Sequence, residues 1–155
     1  MVNNVNGELG LMFRGQYTYS IDAKGRVSIP AKLRKQLSPE SNETFIMKQG
    51  INKCIEVYPL DQWQLQEEKL KSLNEFTQEN TQFLYMHLQN VFEDTLDSQA
   101  RILIPQILLT HAGIEKDVLI IGLLDKIVLW NPSIYLEYLK SSELSYEQLA
   151  AKVMG

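Results

Sequence analysis

The sequence predicts an α+β fold built from two pseudo-symmetric copies of one strand–turn–strand–helix unit. Asp22-Ala-Lys-Gly-Arg26-Val-Ser-Ile-Pro30-Ala-Lys-Leu33 returns as Asp97-Ser-Gln-Ala-Arg101-Ile-Leu-Ile-Pro105-Gln-Ile-Leu108, with Asp, Arg, Ile, Pro and Leu repeating at an offset of 75. Ile55-Glu-Val-Tyr58 and Ile127-Val-Leu-Trp130 repeat at an offset of 72, each followed by a helix-start signal and a further aromatic, Trp63 and Tyr135. Polar segments with helical periodicity lie between and after the copies. A unit of about 45 residues present only twice makes a paired architecture, not a solenoid.

The elements follow in order. Gln16 to Ile21 alternates and is rich in aromatics and Thr, which suits a strand. Asp22 to Gly25 reads as a tight turn: Asp accepts hydrogen bonds from following amides and Gly tolerates positive φ. Val27 to Ile29 is a short returning strand, ended by Pro30, which has no N–H for a ladder and pre-sets φ for a helix over 31–37. Thr44 to Lys48 and Cys54 to Tyr58 read as two more strands around a loop containing Gly50 and Asn52. Asp61-Gln-Trp-Gln64 resembles a capping box, opening a helix with Trp63, Leu70 and Leu73 on one face. The segment 74–80 breaks that pattern, and a second helix is expected with Leu84, Leu88 and Val91 at i, i+4, i+7. In the second copy, 118–121 and 127–130 are unbroken apolar runs, as expected of strands buried on both faces. Asn131-Pro132 starts another helix, and Ser145-Tyr-Glu-Gln148 caps a last one. These signals divide the chain into repeat 1 (16–63), a helical connector (64–91), repeat 2 (92–135) and a helical tail (136–155). Residues 1–11 are expected to be disordered, with Met12 as an alternative start.

Composition narrows the function. The 155 residues are 45% apolar and 22% charged, with net charge −4, an ordinary globular balance. The longest apolar run, Val118 to Leu124, is far below the roughly 18 residues of a membrane helix, and no membrane association is expected. The opening residues lack the basic and apolar stretches of a signal peptide. Cys54 is alone, so no internal disulfide is available; a reducing, cytoplasmic setting is expected. Charge is unevenly placed. Met12 to Leu37 holds six bases and one acid, a local balance of +5, leaving −9 on the rest. A cationic segment on an acidic body points to one localised anion-facing surface.

The Asp-x-x-x-Arg spacing sets the two residues at the feet of a hairpin loop. Asp22 can hold the loop amides or pair with Arg26, while Lys24 projects from the tip. Arg26 offers a planar donor fork suited to phosphate or to the O6/N7 edge of guanine, and Lys24 a point charge suited to phosphate. Arg14, Arg34 and Lys35 add bases nearby in sequence. Asp22, Gly25, Asp97 and Arg101 are expected to hold the turns. In the second copy Ala100 stands where the first has Gly25, the tip base is missing, and 106–110 has no Lys or Arg, so Arg101 reads as structural.

Enzymatic chemistry has little to stand on. His87 and His111, 24 residues apart, and one distant Cys form no metal-ligand spacing, so no metal or cofactor is expected. No G-x-S-x-G, Walker A or dinucleotide-binding glycine pattern occurs, and no small-molecule substrate is expected. Helix-end and packing roles account for both histidines. Glu67-Glu68 and Glu93-Asp94 read as surface charge.

Phe13-Arg14-Gly15, the Asp22–Arg34 segment and Val57-Tyr-Pro-Leu-Asp-Gln-Trp63 resemble the N-terminal half of the MraZ family. Asp97–Arg101, His111-Ala-Gly-Ile114 and Ile121-Gly-Leu-Leu-Asp-Lys-Ile-Val-Leu-Trp130 resemble its C-terminal half, so the resemblance runs from about Met12 to Glu147. It implies two tandem SpoVT-AbrB repeats forming a swapped-hairpin β-barrel, homo-oligomeric rings, and a nucleoid-associated bacterial regulator of the division and cell-wall gene cluster, including its own promoter. It further implies double-stranded DNA as partner, with Arg14, Lys24, Arg26 and Arg34 on or near the DNA-facing surface. The second turn lacks the family's usual glycine, and the 82–84 region is less basic than is common there. The reading from another class is a non-enzymatic oligomeric scaffold, or an antitoxin-like interaction module, sharing the barrel.

Overall fold

A computed structural model of the chain describes residues 12–155; the expectation of disorder for residues 1–11 lies outside them. The strands are β1 (Gln16–Ser20), β2 (Arg26–Ser28), β3 (Thr44–Gln49), β4 (Ile55–Pro59), β5 (Phe92–Thr95), β6 (Arg101–Leu103), β7 (Asp117–Leu123) and β8 (Lys126–Trp130). The helices are α1 (Ala31–Arg34), α2 (Leu60–Lys71), α3 (Gln78–Leu88), α4 (Gln106–Ala112), α5 (Pro132–Lys140) and α6 (Tyr146–Met154). The fold is α+β, as expected.

Six strands form one antiparallel sheet in the order β1-β7-β8-β4-β3-β5, and β2 pairs with β6 in a separate ribbon. Exchanging the two copies reverses the first order and leaves the second unchanged, so the pairing carries the pseudo-two-fold symmetry of the sequence. Each copy gives its first strand to the third strand of the other: Tyr17 stands opposite Ile120, and Glu93 opposite Ile46. The hairpins β3–β4 and β7–β8 meet at the centre, where Glu56 faces Val128. The ladder does not close into a barrel among the described residues. β1 and β5 remain edges, and the ribbon lies beside them, tied through polar groups. The Leu103 N–H donates to Asp94 Oδ2 at 2.7 Å, so a carboxylate takes a donor that a closed sheet would have paired to backbone.

The apolar runs are explained by two-sided burial. Phe45, Met47, Ile55, Val57, Val118, Ile120, Ile127 and Leu129 face the main core. There they meet Val27 and Ile102 of the ribbon, Leu33 of α1 and Leu108 of α4. Alternate residues face the other way. Leu119, Val128 and Trp130 lie under Ile134 and Tyr135 of α5, and Ile46 and Tyr58 lie under Trp63 of α2. Central strands covered on both faces are mostly apolar, and the charged residues they do carry are engaged, Glu56 lying 3.5 Å from Lys126.

Local signals fared unevenly. Asn131 and Ser145 cap α5 and α6, the latter with a full capping box. The box expected at Asp61 does not form. The helix starts two residues earlier, with Pro59 in the N-cap place and Leu60 first, and Asp61 Oδ2 instead accepts from Ser38 Oγ at 2.9 Å. The helix expected over 31–37 is regular only to Arg34. Val91 lies beyond α3, packed on the Ile46–Tyr58–Trp63 cluster. α3 is fixed instead by its aromatic edge, with the His87 ring stacked 5.0 Å from Phe83 and 6.5 Å from Trp63.

The ribbon gives a direct check of this packing. Ile102 is fully buried and Leu103, its neighbour, is 48% exposed. Ile102→Ala is expected to cost about 2–5 kcal/mol of unfolding free energy, whereas Leu103→Ala should stay within about 0.5 kcal/mol. Denaturant unfolding of both variants measures the difference, and equal losses would contradict this two-faced ribbon.

Candidate nucleic-acid interface

The ribbon is only three residues long per strand, so its two faces are simply defined. Val27 pairs with Ile102 on the buried side. Arg26 pairs with Leu103, and Ser28 with Arg101, on the outward side. Both arginines of the repeated motif therefore share one face, at diagonal corners, each at the foot of its own turn.

The first turn is a closed set of hydrogen bonds. The Asp22 N–H donates to the Arg26 carbonyl at 3.0 Å, and the Gly25 N–H to the Asp22 carbonyl at 3.0 Å. Asp22 Oδ1 accepts from the Lys24 and Arg26 amides, both at 2.9 Å, and Oδ2 accepts from Arg26 Nε at 2.7 Å. Gly25 has φ +87°, and a Cβ there would stand 3.1 Å from the Ile104 carbonyl, so glycine meets both a conformational and a packing need. The second turn repeats this. Asp97 Oδ1 accepts from the Gln99 amide at 2.8 Å and the Arg101 amide at 3.0 Å, and Oδ2 from Arg101 Nε at 2.9 Å. Ala100 takes the glycine position at φ +60°, the strained substitution that the sequence suggested. Reciprocal backbone bonds stitch the turns together: the Ile104 N–H donates to the Gly25 carbonyl at 2.8 Å, and the Ile29 N–H to the Ala100 carbonyl at 2.9 Å.

Seating Arg26 through Nε leaves the Nη edge of its guanidinium without a hydrogen-bond partner among the described residues. Lys24 is exposed at the tip and makes no ion pair among the described residues. This is a hydrogen-bonded loop presenting a guanidinium about one-third exposed beside an exposed ammonium, chemistry suited to phosphate or a base edge. Arg34 lies on α1, directly after β2, and donates from Nε to the Ile29 carbonyl at 3.1 Å, while Lys32 and Lys35 are exposed. Arg14 is placed elsewhere. It flanks Phe13, whose N–H bonds the Leu124 carbonyl at the β7–β8 hairpin, while the turn leaves the other end of β1, where the Ile21 N–H bonds the Lys116 carbonyl. The five extended residues of β1, roughly 17 Å, lie between Arg14 and the turn. Within one chain the structure brings together Lys24 and Arg26 on the turn, with Arg34 following on α1, but not Arg14.

One contact escaped the sequence. Arg101 Nη1 lies 3.7 Å from Asp22 Oδ2, linking the two motifs. No comparable contact runs from Arg26 to Asp97 among the described residues. Two positions 79 apart in the chain offered no signal of this until the ribbon register was known.

Three further titratable groups do structural work. Cys54 is buried and its thiol is pushed up to about 11 by desolvation, which holds it protonated and unreactive. Lys48, buried on β3, has its pKa lowered by burial, and its Nζ donates to the Gln49 carbonyl at 2.7 Å. The His111 Nε2 lies 3.0 Å from the Asn52 carbonyl near the end of α4. No group of three metal-ligating side chains occurs among the described residues, and no described helix is long and apolar enough to cross a membrane.

The Asp22 carboxyl is drawn down to about 2, first by the Arg26 amide and then by the Arg26 side chain and the Lys24 amide, against the opposing effect of burial. Asp97 is lowered chiefly by the Arg101 amide. A carboxyl depressed in the fold stabilises it above the ordinary value of 3.8, and that contribution fades as pH falls towards the folded value. Carboxyl NMR titration should therefore find Asp22 at about 2, with the turn intact at pH 4. A midpoint at the ordinary value would contradict the hydrogen-bonded turn.

The MraZ protein family matches residues 12–86 and 88–155. The chain is 42% identical over 139 residues to the transcriptional regulator MraZ of Caldanaerobacter subterraneus subsp. tengcongensis, covering 90% of this chain and 94% of that protein. It is 40% identical to the Thermoanaerobacter sp. protein of the same name, with the same coverage. The protein so named in Clostridium tetani is 36% identical over 142 residues, covering 92% of this chain and 96% of its own. These relatives are named as regulators of transcription and not as enzymes; the chain belongs to the MraZ family.

Proposed function

We propose that the protein regulates transcription by binding double-stranded DNA through the Asp22–Arg26 turn, with Arg26 gripping or reading each element and Lys24 and Arg34 supporting it on phosphate. The observation that carries this reading is the Nη edge of Arg26 on the outward face of the ribbon, without a hydrogen-bond partner among the described residues, beside the exposed Lys24 in a chain otherwise acidic. The exchanged pairing of 16–63 with 92–135 supports reading them as two SpoVT-AbrB repeats in a swapped-hairpin arrangement, joined by a helical connector (64–91) and followed by a tail (136–155). In keeping with the family resemblance, the DNA is the promoter region of the division and cell-wall gene cluster, including the protein's own promoter, and the setting is the cytoplasm and nucleoid.

One loop with a few cations binds DNA weakly, because each phosphate contact adds little and salt erodes it. A ring of copies repeats the loop around its rim, and spaced promoter elements engage several loops at once. Matched spacing then raises overall avidity by roughly 10²–10⁴ without any new contact. Exposed apolar side chains outside the turn, among them Phe76, Met86, Tyr146 and Val153, suit contacts between copies. These same residues are what favours the second reading, a scaffold or antitoxin-like module assembled through apolar faces.

Mobility-shift assays separate the two. Arg26→Ala should weaken binding to the upstream DNA by about 1–3 kcal/mol per engaged element with the assembly intact. Lys24→Ala should weaken it evenly across sequences and lower the salt slope by about 1. Unchanged affinity in Arg26→Ala would remove Arg26 from the interface. Assembly indifferent to salt, with no DNA retained even in dilute buffer, would favour the scaffold.

A further inference from the structure

We propose that Arg101 of the second repeat is a positioning residue for the first: it braces the Asp22 carboxylate from across the ribbon so that Arg26 is held with its Nη edge outward. This inference rests on the reading that Arg26 meets DNA.

Asp22 is fixed from four directions. Its Oδ1 holds the Lys24 and Arg26 amides, both at 2.9 Å. Its Oδ2 holds Arg26 Nε at 2.7 Å and faces Arg101 Nη1 at 3.7 Å. The first three bonds belong to the turn itself and move with it. The fourth comes from the other repeat and fixes the turn against the rest of the molecule. Arg101 can serve this way because it is itself anchored: its Nε is held by Asp97 Oδ2 at 2.9 Å, and its side chain is only 23% exposed. Only the planar fork of an arginine reaches two carboxylates at once with separate nitrogens; a lysine has one.

The arrangement is one-sided. Asp22 faces two guanidiniums, whereas Asp97 binds only its own among the described residues. The side that receives the extra brace is the one with Lys24 and Gly25 at its tip, and the side that lends it carries Gln99 and Ala100. The second guanidinium also offsets the Asp22 charge, which would otherwise repel an approaching phosphate. A side chain already frozen on the protein loses little further freedom when it seats on an anion, so the brace acts on affinity without adding a contact.

The test uses the full chain and a double-stranded fragment from upstream of its own gene, with anisotropy measured across salt for wild type, Arg101→Gln, Arg101→Lys, Arg26→Ala and Arg26→Ala/Arg101→Gln. The expected result is a loss of about three- to ten-fold in both Arg101 variants, an unchanged salt slope, and no further loss in the double variant. Exchange of the Arg26 Nε–H, followed by ¹⁵N NMR without DNA, should quicken in both. Should Arg101→Gln fail to fold, Arg101→Lys carries the same comparison. A salt slope lowered by about 1, with the loss persisting in the double variant, would make Arg101 a phosphate ligand and overturn the proposal. Full affinity in Arg101→Lys, or unchanged Arg26 Nε–H exchange, would overturn it as well. Absence of wild-type binding would reject the DNA reading instead, and the Arg26 exchange rate would still decide whether the brace exists.

Discussion

Strand exchange between the two repeats is the constraint on which the rest of the structure depends. Among the described residues neither copy contains a partner for its own first strand: β1 hydrogen-bonds to β7 and β5 to β3, while β2 and β6 pair with each other. Separated, the buried strands β4 and β8 would lose the backbone partners they find in each other, at a cost of about 1–3 kcal/mol for each unsatisfied group. The two halves are therefore obliged to fold as one body. The shared core beneath the sheet, with Val27 and Ile102 face to face, is a consequence of that pairing.

The same exchange builds the candidate interface. Because β2 and β6 run antiparallel over just three residues, the two Asp-x-x-x-Arg turns flank one short ribbon and both arginines point outward. Each turn is stiffened by its aspartate, and each is tied to the other by a backbone bond in both directions. Differences at a few positions then assign unequal parts. Lys24 and Gly25 make the first turn cationic and relaxed, whereas Gln99 and Ala100 leave the second neutral at its tip and strained. One repeat presents charge and the other holds it in place.

Much of this was legible in the residues, and the part that was not has a common cause. The repeat, the Asp22 turn, the Pro30 and Pro105 breaks and the doubly buried strands all follow from local chemistry or from a pattern a few residues long. Pairing does not. A strand such as Gln16–Ser20 has the same alternation whichever neighbour it meets, so its partnership with β7, and the 3.7 Å approach of Arg101 to Asp22, could not be derived from spacing. β5, with two acids in four residues, is tolerated as a strand because it lies at an edge. The Asp61 box failed through a shift of two residues in the helix start. Arg14 joined the basic segment by sequence proximity, but the extended backbone of β1 carries it to the opposite end of the sheet.

Backbone hydrogen exchange of the full-length protein, with and without DNA from upstream of its gene, addresses the central claim most directly. Slowed exchange confined to the Asp22–Arg26 turn and the adjoining α1 segment, with the α2–α3 connector unaffected, is the predicted outcome. Protection that fell on the connector or the C-terminal helices while the turn exchanged as before would contradict it.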